Sequence, residues 1–141
     1  MRELISKLNK WANSNTTLGT DLLRVALGIL LFVKGIQFAQ DSSYLVDLIN
    51  AQNPEWASLL IAHYITMAHF AGGLLIIFGL ITRLAILVQL PLIIGAFIIH
   101  IKMGTDAQAL IMASIALLFA VFFLFFGSGK HSVDYELKLH M

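Results

Sequence analysis

The chain has 141 residues, of which 59% are hydrophobic and 12% are charged. Soluble proteins average roughly 45–50% apolar and about 25% charged residues, so a soluble globular domain, which would have to bury most of this apolar surface, is excluded. The net charge of +1 excludes the basic stripe that nucleic-acid binding requires, and the absence of cysteine excludes disulfides, thiolate metal sites and iron–sulfur clusters within the chain.

Four apolar runs follow one another along the chain, each close to the roughly 20 residues that a membrane-crossing helix needs. They cover residues 22–39, 59–80, 84–101 and 107–126. The second and third runs are joined by a link so short, residues 81–83, that their helices must be antiparallel neighbours. The sequence therefore predicts an all-α integral membrane protein, an up-down bundle of four transmembrane helices that forms a single domain over residues 1–141.

The segment between the first two runs, residues 41–58, is too polar to cross a bilayer. Its apolar side chains nevertheless recur at the spacing of one helical face, at Tyr44, Leu45, Leu48 and Ile49. This pattern predicts a short interfacial helix that lies on the membrane surface.

Lysine and arginine are distributed unequally between the two predicted sides of the membrane. The side that holds both chain ends and the link 81–83 carries Arg2, Lys7, Lys10, Arg83, Lys130 and Lys138, whereas the other side carries only Lys102. Because positive residues concentrate in cytoplasmic segments, both termini are predicted to be cytoplasmic.

Three motifs, in this order, resemble those of the DoxX family of small bacterial membrane proteins. The first run contains RVALGIL at residues 24–30 followed by Lys34-Gly35, and the second contains GGLL at residues 72–75 followed by GLITR at 79–83. The sequence GSGKHSVD at residues 127–134 follows the fourth run. The resemblance covers roughly residues 20–135, almost the whole chain.

The resemblance implies a four-helix protein of the bacterial cytoplasmic, or inner, membrane. Members of this family are in some cases subunits linked to quinone or to thiosulfate oxidation. Many members carry a histidine where this chain has Lys34 and a glutamate where it has His69.

Polar residues inside the spans need an explanation, because an ionisable group at membrane depth costs several kcal/mol unless it pairs, titrates to neutral or reaches the surface. His63, Thr66 and His69 follow one broad helical face, and the positions of Gln89 and His100 also share a face. With two more residues of the first span they form a candidate ligand-binding set in the outer half of the bundle: Lys34, Gln37, His63, Thr66, His69, Gln89 and His100. The alternative is an interhelical hydrogen-bond network without a ligand. No catalytic residue and no metal site is predicted.

A second group is predicted to be structural. Arg24 and Arg83 lie near the cytoplasmic ends of their helices, where they either reach lipid phosphates or cap neighbouring helix ends. Gly28, Gly35, Gly72 and Gly73 belong to the family motifs and complete this group.

Three functions follow from these observations, and the sequence leaves all three open. The first is a quinone-binding subunit of a membrane redox complex, at most an oxidoreductase subunit without a self-contained catalytic site. The second is an oligomeric carrier or binder of a small solute or anion, in which Pro91 breaks the third span. The third is a non-catalytic scaffold.

The expected cofactors and partners follow from the same alternatives. No intrinsic cofactor is expected; a quinone is a candidate ligand, and haem is disfavoured because no Cys-x-x-Cys-His attachment motif is present. The predicted partners are the lipid bilayer, a soluble or membrane redox protein and a second copy of the chain.

Overall fold

The computed structural model describes residues 2–50, 54–104 and 107–137, and its regular structure in those ranges is helical. The helices are α1 (Arg2–Asn15), α2 (Leu18–Gln40), α3 (Ser42–Asn50), α4 (Glu55–Phe78), α5 (Thr82–Met103), α6 (Ala107–Phe126) and α7 (Val133–Glu136). In this part of the chain α2, α4, α5 and α6 are long and apolar enough to cross a membrane, which confirms the predicted fold class.

The four long helices form a closed ring. Contacts join α2 to α4, α4 to α5, α5 to α6, and α6 back to α2. We call the end at which α2 and α5 begin and α4 and α6 end the terminal end, because α1 and α7 also lie there. The opposite end, where α3 connects α2 to α4, is the α3 end.

The predicted spans 22–39, 59–80 and 84–101 differ from the observed helices by one to four residues at each end, and at two of these boundaries the capping contacts show why. The helix α2 begins at Leu18 rather than at residue 22, since Thr17 and Thr20 bond each other's backbone N–H in a capping box. The helix α4 ends at Phe78 rather than at residue 80. There Gly79 takes a left-handed φ of 68°, and the Leu80 N–H donates to the Leu75 carbonyl at 2.8 Å.

A helix is present in the predicted interfacial segment as α3, but it is shorter than the segment 41–58. Residues 55–58 belong to α4, and residues 51–53 lie outside the described residues. The side chains of Tyr44, Leu45 and Leu48, on the predicted apolar face, also lie outside the described part of the structure. The side chain of Ile49 lines a cavity inside the bundle.

The helix α1 was not predicted. Its lysines, Lys7 and Lys10, are exposed, whereas Ala12 is buried. The Trp11 ring meets the Phe126 ring edge-on, with 5.5 Å between the ring centroids. The helix α1 is therefore amphipathic and packs against the end of α6 through its apolar side.

The closest helix contact joins α2 and α4, and glycines make it possible. A Cβ atom added at Gly73 would lie 2.6 Å from the Phe32 nitrogen, and one added at Gly28 would lie 2.9 Å from the Gly73 carbonyl oxygen. One added at Gly35 would lie 2.6 Å from the Phe70 nitrogen. Small residues at such positions let two membrane helices approach backbone to backbone.

The buried apolar core is concentrated toward the terminal end. Its largest members come from the first half of α2, the last turns of α4, the first turns of α5 and the last turns of α6, and they include Leu27, Ile76, Ile86 and Phe123. On α6 the alanines Ala113, Ala116 and Ala120 are buried and let α5 and α2 pack closely against this helix. The dense packing of this half contrasts with a cavity in the other half.

Two glycine-to-alanine variants test this packing. We expect Gly73→Ala to lower the free energy of unfolding by about 1–3 kcal/mol, because overpacking a close contact forces the backbones apart. A Cβ added at Gly95 meets no atom within 4 Å, so Gly95→Ala should be stabilising by about 0.5–1 kcal/mol through helix propensity. Thermal unfolding in one detergent measures both changes in stability. A Gly73→Ala variant as stable as Gly95→Ala would contradict the close contact between α2 and α4.

Candidate functional site

The α3 half of the bundle encloses a cavity of about 270 Å³. All four long helices line it, and Ile49 of α3 lies at its boundary. Most of the wall is aliphatic, aromatic or small, with Leu31, Phe38 and Ile65 on α2 and α4 and Ile99 and Ala113 on α5 and α6. An apolar pocket that contains a few polar groups is the usual form of a small-molecule site.

Three residues of the predicted set reach this cavity. Lys34 comes from α2, His69 from the middle of α4, and His100 from the end of α5. They lie far apart in sequence and are brought together by the antiparallel arrangement of the helices. The cavity thus contains one lysine and two imidazoles within a largely hydrocarbon wall.

His69 is the most deeply buried of the three, with 6% of its surface exposed. Its Nδ1 donates to the Ile65 carbonyl of its own helix at 3.0 Å, and its ring meets the Phe38 ring edge-on, with 5.5 Å between the centroids. These two contacts fix the orientation of the ring. In a neutral imidazole whose Nδ1 carries the proton, Nε2 is a hydrogen-bond acceptor.

The other four residues of the set lie outside the cavity lining. His63 is exposed, and its Nδ1 donates to the Leu59 carbonyl at 2.8 Å. The hydroxyl of Thr66 donates to the Ala62 carbonyl at 2.9 Å. Both side chains therefore bond to the backbone of their own helix, whereas Gln37 lies in a surface groove described below.

Gln89 joins two helices instead of facing the cavity. It is completely buried, and its side-chain amide donates to the Ala68 carbonyl of α4. The amide fits because position 72 is a glycine: a Cβ atom there would overlap Gln89 Nε2. Gln89 and Ala68 thus form an interhelical hydrogen bond of the kind proposed as the alternative to a ligand site, and Gly72 leaves the space for it.

A groove of about 640 Å³ runs along the outer surface between α2 and α6. Its lining comes from one stripe of α2 and from the first turns of α6. Four residues line both this groove and the internal cavity, namely Leu30, Lys34, Ala109 and Met112. Lys34 therefore lies at the boundary between the interior of the bundle and its outer surface.

Sequence reasoning missed a second polar cluster, at the terminal end. Its centre is Arg24, of which only 3% is exposed. Arg24 Nη1 donates to the Ile76 and Ile77 carbonyls at 2.8 and 2.9 Å, and Nη2 donates to the His131 carbonyl at 3.1 Å. The guanidinium caps the end of α4, which is one of the two predicted roles, and its burial rules out the other, an extension to lipid phosphate.

The segment after α6 folds back over this arginine. His131 Nδ1 donates to the Asp21 carboxylate at 2.6 Å, and the same carboxylate lies 3.8 Å from the Arg24 guanidinium. The Lys130 backbone N–H donates to the Thr16 hydroxyl at 3.2 Å. This segment is thereby tied to the start of α2.

Asp134 joins the same segment to the link between α4 and α5. Its two carboxylate oxygens accept the backbone N–H groups of Ile81 at 2.7 Å and of Thr82 at 3.2 Å. Ile81 takes a left-handed φ of 45°, which is uncommon for a β-branched residue, and the carboxylate holds it in this strained conformation. A negative charge at the start of α5 also complements the helix dipole.

Arg83 completes the cluster by donating from Nη2 to the Phe125 carbonyl near the end of α6, at 3.1 Å. Arg24, the motif at residues 79–83 and the motif at residues 127–134 therefore meet in space. The signal was present in the sequence, since these are the motifs that carry the family resemblance. Nothing in their spacing showed that they contact one another.

The comparisons with known proteins agree with that resemblance. The family model described as DoxX matches residues 19–102, which is more than half of the chain. No curated protein and no solved structure matched the chain.

Proposed function

The chain is a member of the DoxX family, and we propose that it binds a quinone headgroup in the cavity of the α3 half as a subunit of a membrane redox system. The observation that carries this proposal is the pairing of Lys34 with His69 in one apolar cavity inside the bundle. Lys34 supplies hydrogen-bond donors, and His69 supplies an acceptor with a fixed orientation.

The chemistry of the cavity fits a quinone ring. The ring is flat and apolar, and it carries oxygen atoms at opposite edges that accept hydrogen bonds when oxidised and donate them when reduced. The ammonium group of Lys34 can donate to one oxygen, and Nε2 of neutral His69 can accept from a hydroxyl. The aliphatic wall between these groups suits the ring faces.

A bound quinone would supply the redox chemistry, by taking up or releasing two electrons together with two protons. The contribution of this chain would be to bind and orient the ring and to accept a proton from a ring hydroxyl at His69 Nε2, the nitrogen that the Nδ1 bond to Ile65 leaves available. A partner protein would have to provide or remove the electrons. The proposal therefore includes a soluble or membrane redox partner.

An anion-binding role is less well supported by the same geometry. An anion in a cavity of this polarity would meet Lys34 on one side and hydrocarbon on most others. The predicted break of the third span at Pro91 was also wrong, because α5 continues through this proline from Thr82 to Met103. The helix is therefore not unwound at this proline, and the broken-helix arrangement on which the solute site depended is not found there.

Three variants test the quinone site. Each is purified from membranes that contain quinone, and the quinone that remains bound is extracted and quantified. Lys34→Met keeps the apolar stem and removes the donor, so we expect about a tenfold or greater loss of quinone per folded molecule. His69→Leu should cause a smaller loss of about threefold to tenfold. His63→Leu is the matched control, since this histidine makes the same bond to its own helix but lies outside the cavity lining.

The thermal midpoint of each variant separates a lost site from a lost fold. Equal quinone content in the wild type and all three variants would contradict the proposal. An equal loss in His63→Leu and His69→Leu would also contradict it, because only His69 lines the cavity.

We also propose that the terminal end faces the cytoplasm of the bacterial inner membrane. The exposed lysines of α1 and Lys130 lie at this end, in agreement with the positive-inside rule. A reporter that works only in the cytoplasm should then be active when it is fused after Met141. A reporter that works only after export should be active when it is inserted between α3 and α4. The reverse pattern would overturn the orientation.

A further inference from the structure

We infer that the ligand of the cavity carries a hydrocarbon tail, which leaves the bundle sideways between α2 and α6 and lies in the groove on their outer surface. The inference rests on the proposed quinone site for the identity of the headgroup. It adds the route by which the ligand reaches the site and the class of quinone that fits, one with an alkyl or isoprenoid chain.

The cavity and the groove adjoin each other. The cavity and the groove share Leu30 and Lys34 on α2 and Ala109 and Met112 on α6, so these four residues frame the passage between them. Ala109 is the small residue of this frame. Its methyl group leaves space that a larger side chain would fill.

The cavity is smaller than the groove. Pockets that enclose a drug-sized ligand have volumes of about 300–1,000 Å³. The cavity, at about 270 Å³, is large enough for a headgroup and too small for a long chain in addition. The groove, at about 640 Å³, offers the space that the cavity lacks.

The groove is apolar along most of its length. Ala26, Ile29 and Val33 give it an apolar floor along α2, whereas the amides of Gln37 and Gln108 lie toward its α3 end. It lies on the outside of the helix ring, where the bundle meets lipid. A hydrocarbon chain moves from lipid into such a groove without entering water, because lipid tails are as apolar as the groove itself.

One polar side chain at the passage and another inside the cavity explain why the headgroup, and not the tail, enters the cavity. Lys34 lies at the passage and His69 lies further inside. A quinone oxygen that passes the frame meets the ammonium group first. A chain without polar atoms has no partner for either group and remains outside.

The absence of cysteine from the sequence allows a direct test with single-cysteine variants. Gly95→Cys places a thiol in the cavity, Val33→Cys places one in the groove, and Ile111→Cys places one on the exposed side of α6 that lines neither. Each variant is reconstituted in lipid nanodiscs, and its reaction rate with a lipid-soluble maleimide is measured. The probes are two fully ring-substituted quinones, tetramethyl benzoquinone without a tail and a benzoquinone with a decyl tail.

We expect both quinones to slow the labelling of Gly95→Cys by about fivefold or more. The decyl quinone alone should slow the labelling of Val33→Cys, and neither should affect Ile111→Cys. Thermal midpoints measured beforehand establish that all three variants are folded.

The failures of the two proposals are distinguishable. Protection of Gly95→Cys by both quinones without protection of Val33→Cys by the decyl quinone would overturn the tail position and leave the headgroup site standing. Protection of neither variant would overturn the headgroup site and, with it, this inference. Equal protection of all three variants by the decyl quinone would overturn the tail position, because the slower labelling would then not depend on whether the thiol lies in the groove.

Discussion

The burial of Arg24 in the first membrane-crossing helix constrains the whole terminal end. A guanidinium buried in a membrane protein is costly unless its charge and most of its donors have partners. Arg24 Nη1 and Nη2 donate to the last carbonyls of α4 and to one carbonyl of the segment after α6. Those carbonyls are available only if α4 stops at Gly79 and the chain folds back after α6. Position 79 also has no room for a side chain, since a Cβ atom added at Gly79 would lie 2.7 Å from Arg24 Nη1. One buried charge thus determines where a helix ends and how the C-terminal segment folds.

The two halves of the bundle consequently differ in character. In the terminal half, apolar packing and the hydrogen bonds of Arg24 and Asp134 fix the helices relative to one another. In the α3 half, the close approach of α2 and α4 at Gly35 coexists with a cavity against α5 and α6. The contacts of the terminal half hold the four helices in place around the cavity of the other half. Polar residues accordingly serve stability at one end and, in our proposal, ligand binding at the other.

The sequence was sufficient to predict the number, order and class of the spans, because hydrophobic length directly reflects the thickness of a bilayer. It did not predict α1, although Ile5, Leu8 and Ala12 recur at the spacing of one helical face. The contact of Trp11 with Phe126, which fixes where α1 packs, has no signal in the sequence. Of the proposed ligand set, Lys34, His69 and His100 share a cavity, whereas His63 and Gln89 do not line it. Helical spacing places residues on a face, but the rotation of each helix in the bundle decides which neighbour that face meets. Contacts over long sequence separations, such as that between Asp134 and Ile81, set this rotation and leave no periodic signal.

The variant Asp134→Asn tests most directly whether the two ends have separate roles. Its control is Glu136→Gln, because Glu136 is an exposed carboxylate on the same short helix. The amide keeps one acceptor and loses the other together with the charge, so we expect the free energy of unfolding to fall by about 1–3 kcal/mol. Quinone bound per folded molecule should be unchanged, because Asp134 lies at the end remote from the cavity. An unchanged thermal midpoint, or a loss of quinone from protein that remains folded, would contradict the separation.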